Sequence, residues 1–280
     1  MPEKIAIVTG SSRGFGLLTC IELAKAGFRV VATMRDVARW GALDQPGSAA
    51  GLANRIDVRE LDVTHFDSIP ALVAGVVGDY SRVDVLVNNA GFAVAGFAED
   101  IRLEELRLQF ETNFFGTVAM TRAVLPVMRQ QRSGHIIQLS SIVGLTGSIS
   151  VSSYTASKHA LEGWSESLRL EVNSLGIKVV LVEPGAYDTG IWSKGAVMGQ
   201  DAIKNTSPNF ERSLKMRGVI QKIPKADPIA VARLIVTIAQ DPNPKLRYLA
   251  GRDAKIQLAM KRLLPWKWWE KMIANLVKID

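Results

Sequence analysis

Short runs of aliphatic and β-branched residues recur along the chain at Lys4–Thr9, Phe28–Met34, Arg55–Leu61, Val83–Val87, Gly134–Leu139, Ile177–Val182 and Lys245–Ala250. Most of the intervals between them carry apolar residues at helical spacing, such as Leu17–Ala26 and Phe66–Tyr80. A strand followed by a helix and then another strand must return parallel to the first, through a right-handed crossover. The alternation therefore predicts an α/β fold: a doubly wound parallel sheet of about seven strands with helices on both faces. Two helices, Leu103–Asn113 and Gly116–Arg132, are expected in one interval, with a local irregularity between them at Asn113–Gly116.

With 280 residues, 48% of them hydrophobic, the chain can bury one large core. We expect a single domain over residues 1–251, with a long loop at 190–226, and a C-terminal extension at 252–280. No uncharged apolar run reaches the roughly 18 residues of a membrane span. The chain enters a strand at Lys4 with no signal-peptide pattern, so the expected location is cytoplasmic, with peripheral membrane contact as a second option. Cys20 is the lone cysteine and falls on an apolar helical face. His65, His135 and His159 have no metal-ligand spacing. The net charge of +7 suits an anionic cofactor, a membrane surface or nucleic acid, but no nucleic-acid-binding signature accompanies it, and no such partner is expected.

The first strand runs into Gly10-Ser11-Ser12-Arg13-Gly14-Phe15-Gly16 and then a helix. Backbone N–H groups at such a helix start point outward, and glycines let a pyrophosphate approach. The spacing is Gly-xxx-Gly-x-Gly, not the Gly-x-Gly-xx-Gly of the common dinucleotide fingerprint. At the end of the second strand, where an acidic residue would hold ribose hydroxyls, stand Met34 and Arg35. Arg13 and Arg35 together favour a ribose 2′-phosphate, and hence NADP(H) over NAD(H); the alternative is two solvated arginines, and Asp36 follows directly. The fourth strand ends in Asn88-Asn89-Ala90-Gly91, at the sheet edge where ligands bind, although asparagines there can equally serve a structural turn.

The densest chemistry lies in Ser153-Tyr154-Thr155-Ala156-Ser157-Lys158. Tyr154 and Lys158 stand four apart, so a helix stacks them on one face. Ser152 or Ser153 is expected to cap that helix. A phenol has an ordinary pKa of about 10, and an ammonium beside it favours the phenolate. Such a pair alone is weakly diagnostic, since an exposed helix face often carries one.

In their order along the chain these residues resemble the short-chain dehydrogenase/reductases, in the compact single-domain subgroup with a Rossmann-like sheet. The resemblance runs from Ile5 to about Thr189, through Thr9-Gly10-xxx-Gly14-x-Gly16, Asn88-Asn89-Ala90-Gly91, Asn113, Ser141, Tyr154-xxx-Lys158 and Pro184-Gly185. It implies that Tyr154 is the acid/base, that Lys158 lowers its pKa and holds the nicotinamide ribose, and that Ser141 polarises the substrate oxygen. Asn113 would support a proton relay through water. Gly10, Ser12, Arg13, Gly14, Phe15, Gly16, Arg35, Asp62, Val63, Asn89, Ala90 and Gly91 would hold the cofactor, with Pro184, Gly185 and Thr189 flanking the nicotinamide amide. Ser141 is taken over Ser140 on family spacing; Ser140 would bond to backbone in the turn. A homodimer or homotetramer is implied by the same resemblance.

Within Ile191–Gln221, the residues Ile191, Trp192, Val197, Met198, Phe210, Leu214 and Met216 could line a greasy pocket with Phe92, Val94, Leu145 and Ile149, or simply pack a lid onto the sheet. Asp227-Pro228 should open the next helix. In the extension, Pro265 separates two helices bearing Leu263, Leu264, Trp266, Trp268, Trp269, Met272 and Ile273 among lysines. It can pack over the pocket or a subunit contact, lie on a membrane surface, or remain a solvated end. The expected activity is NADP(H)-dependent interconversion of a ketone or aldehyde and its alcohol on a bulky apolar substrate. A non-catalytic NADP-sensing protein is the alternative.

Overall fold

A computed structural model describes residues 3–38, 40, 51–191 and 196–277. Its main sheet has the seven parallel strands β1 (Ile5–Thr9), β2 (Arg29–Met34), β3 (Ile56–Glu60), β4 (Val85–Asn88), β6 (Gly134–Leu139), β7 (Ile177–Pro184) and β9 (Arg247–Ala250), in the order β3-β2-β1-β4-β6-β7-β9. The strands pair in parallel throughout, for example Val8 with Ala32 and Val87 with Ile137. The expected strands are all present, with ends displaced by one to two residues.

One face is covered by α1 (Gly14–Lys25) and α7 (Ile229–Gln240), which bury Leu23, Ile235 and Ile238 against Val8, Val87 and Val180. The other is covered by α2 (Ser68–Tyr80), α4 (Gly116–Gln131) and α5 (Ser152–Val172), which bury Val73, Met120 and Leu168 against Ile7, Leu86 and Val179. The sheet order reverses between β1 and β4, and a crevice opens beyond their carboxyl ends, as this topology requires.

A second sheet of two parallel strands, β5 (Ala93–Ala95) and β8 (Ala196–Met198), was not foreseen. It ties the segment after β4 to the long loop, which also carries α6 (Phe210–Lys222). Three-residue strands, Ala-Val-Ala and Ala-Val-Met, are too short to show a period. The irregularity between α3 (Leu103–Phe110) and α4 is a π-helical turn, Glu111–Phe115.

Neither Ser152 nor Ser153 caps α5. Val151 holds the cap position without a side-chain bond, because the Ser153 hydroxyl is drawn off to the Val94 carbonyl at 3.4 Å. Asp227 does serve α7, accepting a bond from the Ile229 N–H at 2.9 Å. The extension folds as α8 (Arg252–Leu263) and α9 (Trp266–Val277) on either side of Pro265. Ala254 and Leu258 of α8 pack against Ile142, Val143, Leu145 and Leu249, and Lys261 donates to the Leu145 carbonyl at 2.6 Å. This half of the extension is thus docked beside the Ser141 turn, not solvated. In α9, Trp269 is buried while Trp266 and Trp268 are exposed. No helix among the described residues is long and apolar enough to cross a membrane.

Candidate active site

The crevice at the switch between β1 and β4 is a cleft of about 630 Å³. The glycine turn forms one wall. Gly10 and Gly14 take positive φ angles, 68° and 57°, which only glycine adopts cheaply. A Cβ on Gly16 would lie 2.4 Å from the Gly10 carbonyl oxygen, so this glycine lets the helix start press against the turn. Helix α1 begins with no side-chain cap and no acidic residue in its first turn. It therefore presents donors and a positive helix end to the cleft, where Ser12, Arg13 and Phe15 also face. These features fit a dinucleotide pyrophosphate.

Thr9, part of the motif but given no role from the sequence, sets the turn against β4. Its hydroxyl accepts the N–H groups of Asn89 and Ala90, each at 3.0 Å, and Asn89 returns its amide to the carbonyls of Thr9 and Gly10 at 2.8 and 3.0 Å. Asn88 donates to Thr121 and Gln138 inside the core. Both asparagine side chains thus do structural work, while Asn89, Ala90 and Gly91 still border the cleft. Met34, Arg35, Asp62 and Val63 form its far end. The Asp62 carboxylate accepts from the Thr64 N–H and hydroxyl; these bonds, with Arg35 nearby, hold its pKa below the ordinary value despite its partial burial.

Tyr154 and Lys158 enter the same cleft from α5, both almost fully buried, with the Lys158 ammonium 5.7 Å from the Tyr154 ring centre. That ammonium donates to the Leu139 carbonyl at 2.6 Å. Burial pushes the Tyr154 phenol up to about 12, against a hydrogen bond from Ser141 that pulls it down. This differs from the expectation that Lys158 would bring the phenol down: in the protein alone the loss of water dominates, and it is Ser141 that opposes it. Lys158 is itself pushed down to about 8 by burial, with Glu162 pulling the other way. At neutral pH Tyr154 therefore keeps its proton.

Ser141 stands at the mouth of the turn after β6, where its oxygen accepts the Val143 N–H at 3.3 Å and its hydroxyl lies with Tyr154. Ser140 makes no side-chain bond to backbone, contrary to the turn role expected for it; its hydroxyl is buried and turned toward Glu162. Pro184, Gly185 and Thr189 line the cleft after β7, together with Tyr187, which packs edge-on against Phe15 at 5.5 Å. Asp253, at the start of α8, accepts the Ala186 N–H at 2.7 Å and so pins this loop. Neither contact is legible in local pattern, since both bring together segments far apart in the chain.

Asn113 and Gly16 lie behind the cleft wall. The Asn113 side chain is committed to the Phe92 backbone, accepting its N–H and donating to its carbonyl at 3.0 Å each, and it also donates to Ser157 at 3.2 Å. Gln109, four residues earlier, accepts the Val94 N–H at 2.8 Å and donates to the Phe92 carbonyl. The greasy pocket is divided. Phe92, Leu108, Ile191 and Val197 border the cleft near Tyr154, whereas Met198, Met216 and Ile220 line a separate cavity of about 200 Å³ under α6. Val94 is buried in β5, Leu145 packs under α8, and Leu214 is exposed, so none of the three lines the cleft. Trp192 lies outside the described residues. Among these residues no cluster of metal-ligating side chains is present.

A parallel sheet with a glycine turn at its switch point and a Tyr–Lys helix beside it belongs to the oxidoreductases that act on CH–OH groups. A family model of the short chain dehydrogenases matches residues 4–196, and the chain belongs to that family. It is 42% identical over 276 residues to the uncharacterized oxidoreductase YusZ of Bacillus subtilis, covering 98% of each chain. It is 36% identical over 267 residues to the 3-ketodihydrosphingosine reductase of Bacteroides thetaiotaomicron, covering 94% of this chain and 93% of that one. A metagenomic short-chain oxidoreductase solved in complex with NADP superposes with a TM-score of 0.70 at 27% identity, over 89% of this chain and 96% of the other.

Proposed function

We propose that the protein is an NADP(H)-dependent oxidoreductase that interconverts a ketone or aldehyde and its alcohol on a bulky apolar substrate. The observation that carries this reading is the meeting of a protonated, buried Tyr154 with Lys158 and Ser141 in the cleft lined by the glycine turn. When bound there, the nicotinamide cofactor supplies or accepts the hydride. Tyr154 donates its proton to the developing alkoxide, and Ser141 donates a hydrogen bond to the same oxygen. Lys158, held by the Leu139 carbonyl, offers its remaining N–H groups to the ribose and its charge to the tyrosinate left behind. Asn113 acts at one remove, by fixing Phe92 at the cleft wall.

The choice of NADP(H) rests on Arg13 and Arg35, which both line the cleft and could meet a 2′-phosphate, and on the NADP complex of the metagenomic relative. The apolar substrate rests on Phe92, Leu108, Ile191 and Val197 beside Tyr154, and on a relative named as a reductase of 3-ketodihydrosphingosine. Exposed Leu170 on α5 and Phe115 at the head of α4 offer an apolar face for a homodimer or homotetramer. Peripheral membrane contact would fall to Trp266 and Trp268 of α9, beside Lys267 and Lys271. Replacing Tyr154 by Phe should lower kcat at least 100-fold, the lower end of the ~10²–10⁴ typical of a general acid, with NADPH binding retained. Turnover of apolar ketones within twofold of wild type would overturn the assignment. NADPH binding without turnover of any ketone or alcohol would favour a nucleotide sensor.

A further inference from the structure

One turn beyond Lys158 on α5 stands Glu162, which the proposed reaction does not use. It is buried, and Glu183 on β7 is wholly so. Arg247 of β9 reaches both. Its Nη2 lies 3.0 Å from Glu162 Oε2, its Nε donates to that same oxygen at 3.1 Å, and its Nη1 reaches Glu166 of α5 at 2.8 Å. Nε is also 3.1 Å from Glu183 Oε1, so the two carboxylates compete for that one N–H, which is the donor Glu183 has. On its other side Glu162 faces the Ser140 hydroxyl, whose hydrogen bond favours the ionised carboxylate. These two border one gap, since a Cβ built on Gly144 would lie 2.7 Å from Ser140 Oγ and 3.3 Å from Glu162 Oε1. The charged groups facing the cluster are Lys158 and Glu166 from α5, Arg247 from β9 and Arg262 from α8.

A carboxylate sealed from water and given only a shared donor is costly, and two carboxyls sharing one site do not both ionise readily. Burial, with Glu162 beside it, pushes Glu183 up to about 8, and burial raises Glu162 as well. Of the two, Glu162 is the one that acts on Lys158, where it opposes the loss of charge that burial would impose.

We infer that Glu162 and Glu183 hold a single proton between them, and that Glu162 is a positioning residue which keeps the Lys158 ammonium charged in its buried seat. This rests on the reading of Tyr154 and Lys158 as the acid/base pair. Removing the Glu162 charge eases loss of a proton from that pair, which titrates as a unit. Reduction needs the pair fully protonated, so its alkaline limb moves to lower pH. Replacing Glu183 leaves Glu162 ionised, and the limb then stays or moves to higher pH.

The test is the pH profile of kcat/KM for ketone reduction in wild type, Glu162→Gln, Glu162→Asp and Glu183→Gln. Glu162→Gln should move the alkaline limb down by about half to one pH unit. Glu162→Asp, which keeps the charge, should restore it, and Glu183→Gln should give no downward shift. An unmoved limb in an active Glu162→Gln enzyme, or an equal downward shift in Glu183→Gln, overturns the inference. The ultraviolet titration of the Tyr154 phenol, taken as wild type minus Tyr154→Phe, follows the same pair without cofactor or substrate. A shift there with no turnover means that the assigned reaction fails while the electrostatic coupling stands. Should the glutamine variants not fold, infrared spectra of the wild type in neutral deuterated buffer decide the matter: a protonated carboxyl stretch is expected, and its absence overturns the shared proton.

Discussion

Exchanging one glycine for alanine should have opposite consequences at two helical positions. Gly16 and Gly78 both lie in helices, α1 and α2, where alanine lowers backbone entropy cost by about 0.5–1 kcal/mol. At Gly78 an added Cβ meets nothing within 4 Å, and that gain should appear whole. At Gly16 the methyl would lie 2.4 Å from the Gly10 carbonyl oxygen and 2.5 Å from Asn89 Nδ2. The turn cannot retreat, because the Cβ position of Gly10 is itself 2.8 Å from the Ala90 backbone. Moving Asn89 breaks its bonds to the carbonyls of Thr9 and Gly10. Overpacking of this kind costs about 1–3 kcal/mol, and each lost hydrogen bond about 0.5–1.5 kcal/mol. Set against the helical gain, Gly16→Ala should destabilise by roughly 2–4 kcal/mol, a fall in Tm of about 4–16 °C for a domain of this size. Gly78→Ala should raise Tm by about 1–4 °C on the same scale. Differential scanning calorimetry at one pH measures both, and fluorescence titration with NADPH should show at least tenfold weaker binding in Gly16→Ala alone. A Gly16→Ala protein melting within a degree of wild type would refute the close packing of turn on helix.

Two further outcomes concern charge. Glu183 has a folded pKa of about 8, above its ordinary 4.5, so the stability its neutral form confers is complete below about pH 4.5 and is lost as pH rises through about 8. Glu183→Gln cannot ionise, so its Tm relative to wild type should climb between pH 5 and pH 8.5; a constant difference in melting scans would contradict the raised value. Arg35→Ala should weaken NADPH binding about 10–100-fold, the worth of a charged hydrogen bond, and leave NADH nearly unchanged. Equal losses for both nucleotides would remove the 2′-phosphate from Arg35.

Much of this architecture could be read from the chain because it is written in local pattern. Runs such as Ile5–Thr9 are buried at every position and apolar at all but the last, since both sheet faces are covered, and that pattern marks a central parallel strand. The glycine turn and the Tyr154–Lys158 pair were legible for the same reason, as each depends on residues a few positions apart. What escaped were arrangements formed at a distance. Thr9 bonds Asn89 across 80 residues, and Asp253 bonds Ala186 across 67, with no spacing to betray either. The direction of the Tyr154 shift was misjudged because a sequence shows the lysine four residues away but not how completely the ring loses water. Val94 and Leu145 were placed in the pocket on apolarity alone; their side chains are consumed by β5 and by α8.

The bond between Asp253 and Ala186 also bears on how the molecule is made. Ribosomal synthesis delivers the glycine turn and α1 long before α7, whose Ile235 and Ile238 complete the core they share. The loop bearing Pro184 and Gly185 must wait for Asp253, 67 residues later, before it is tied down. A nascent polypeptide should therefore finish this rim of the crevice only once the start of α8 has left the ribosome.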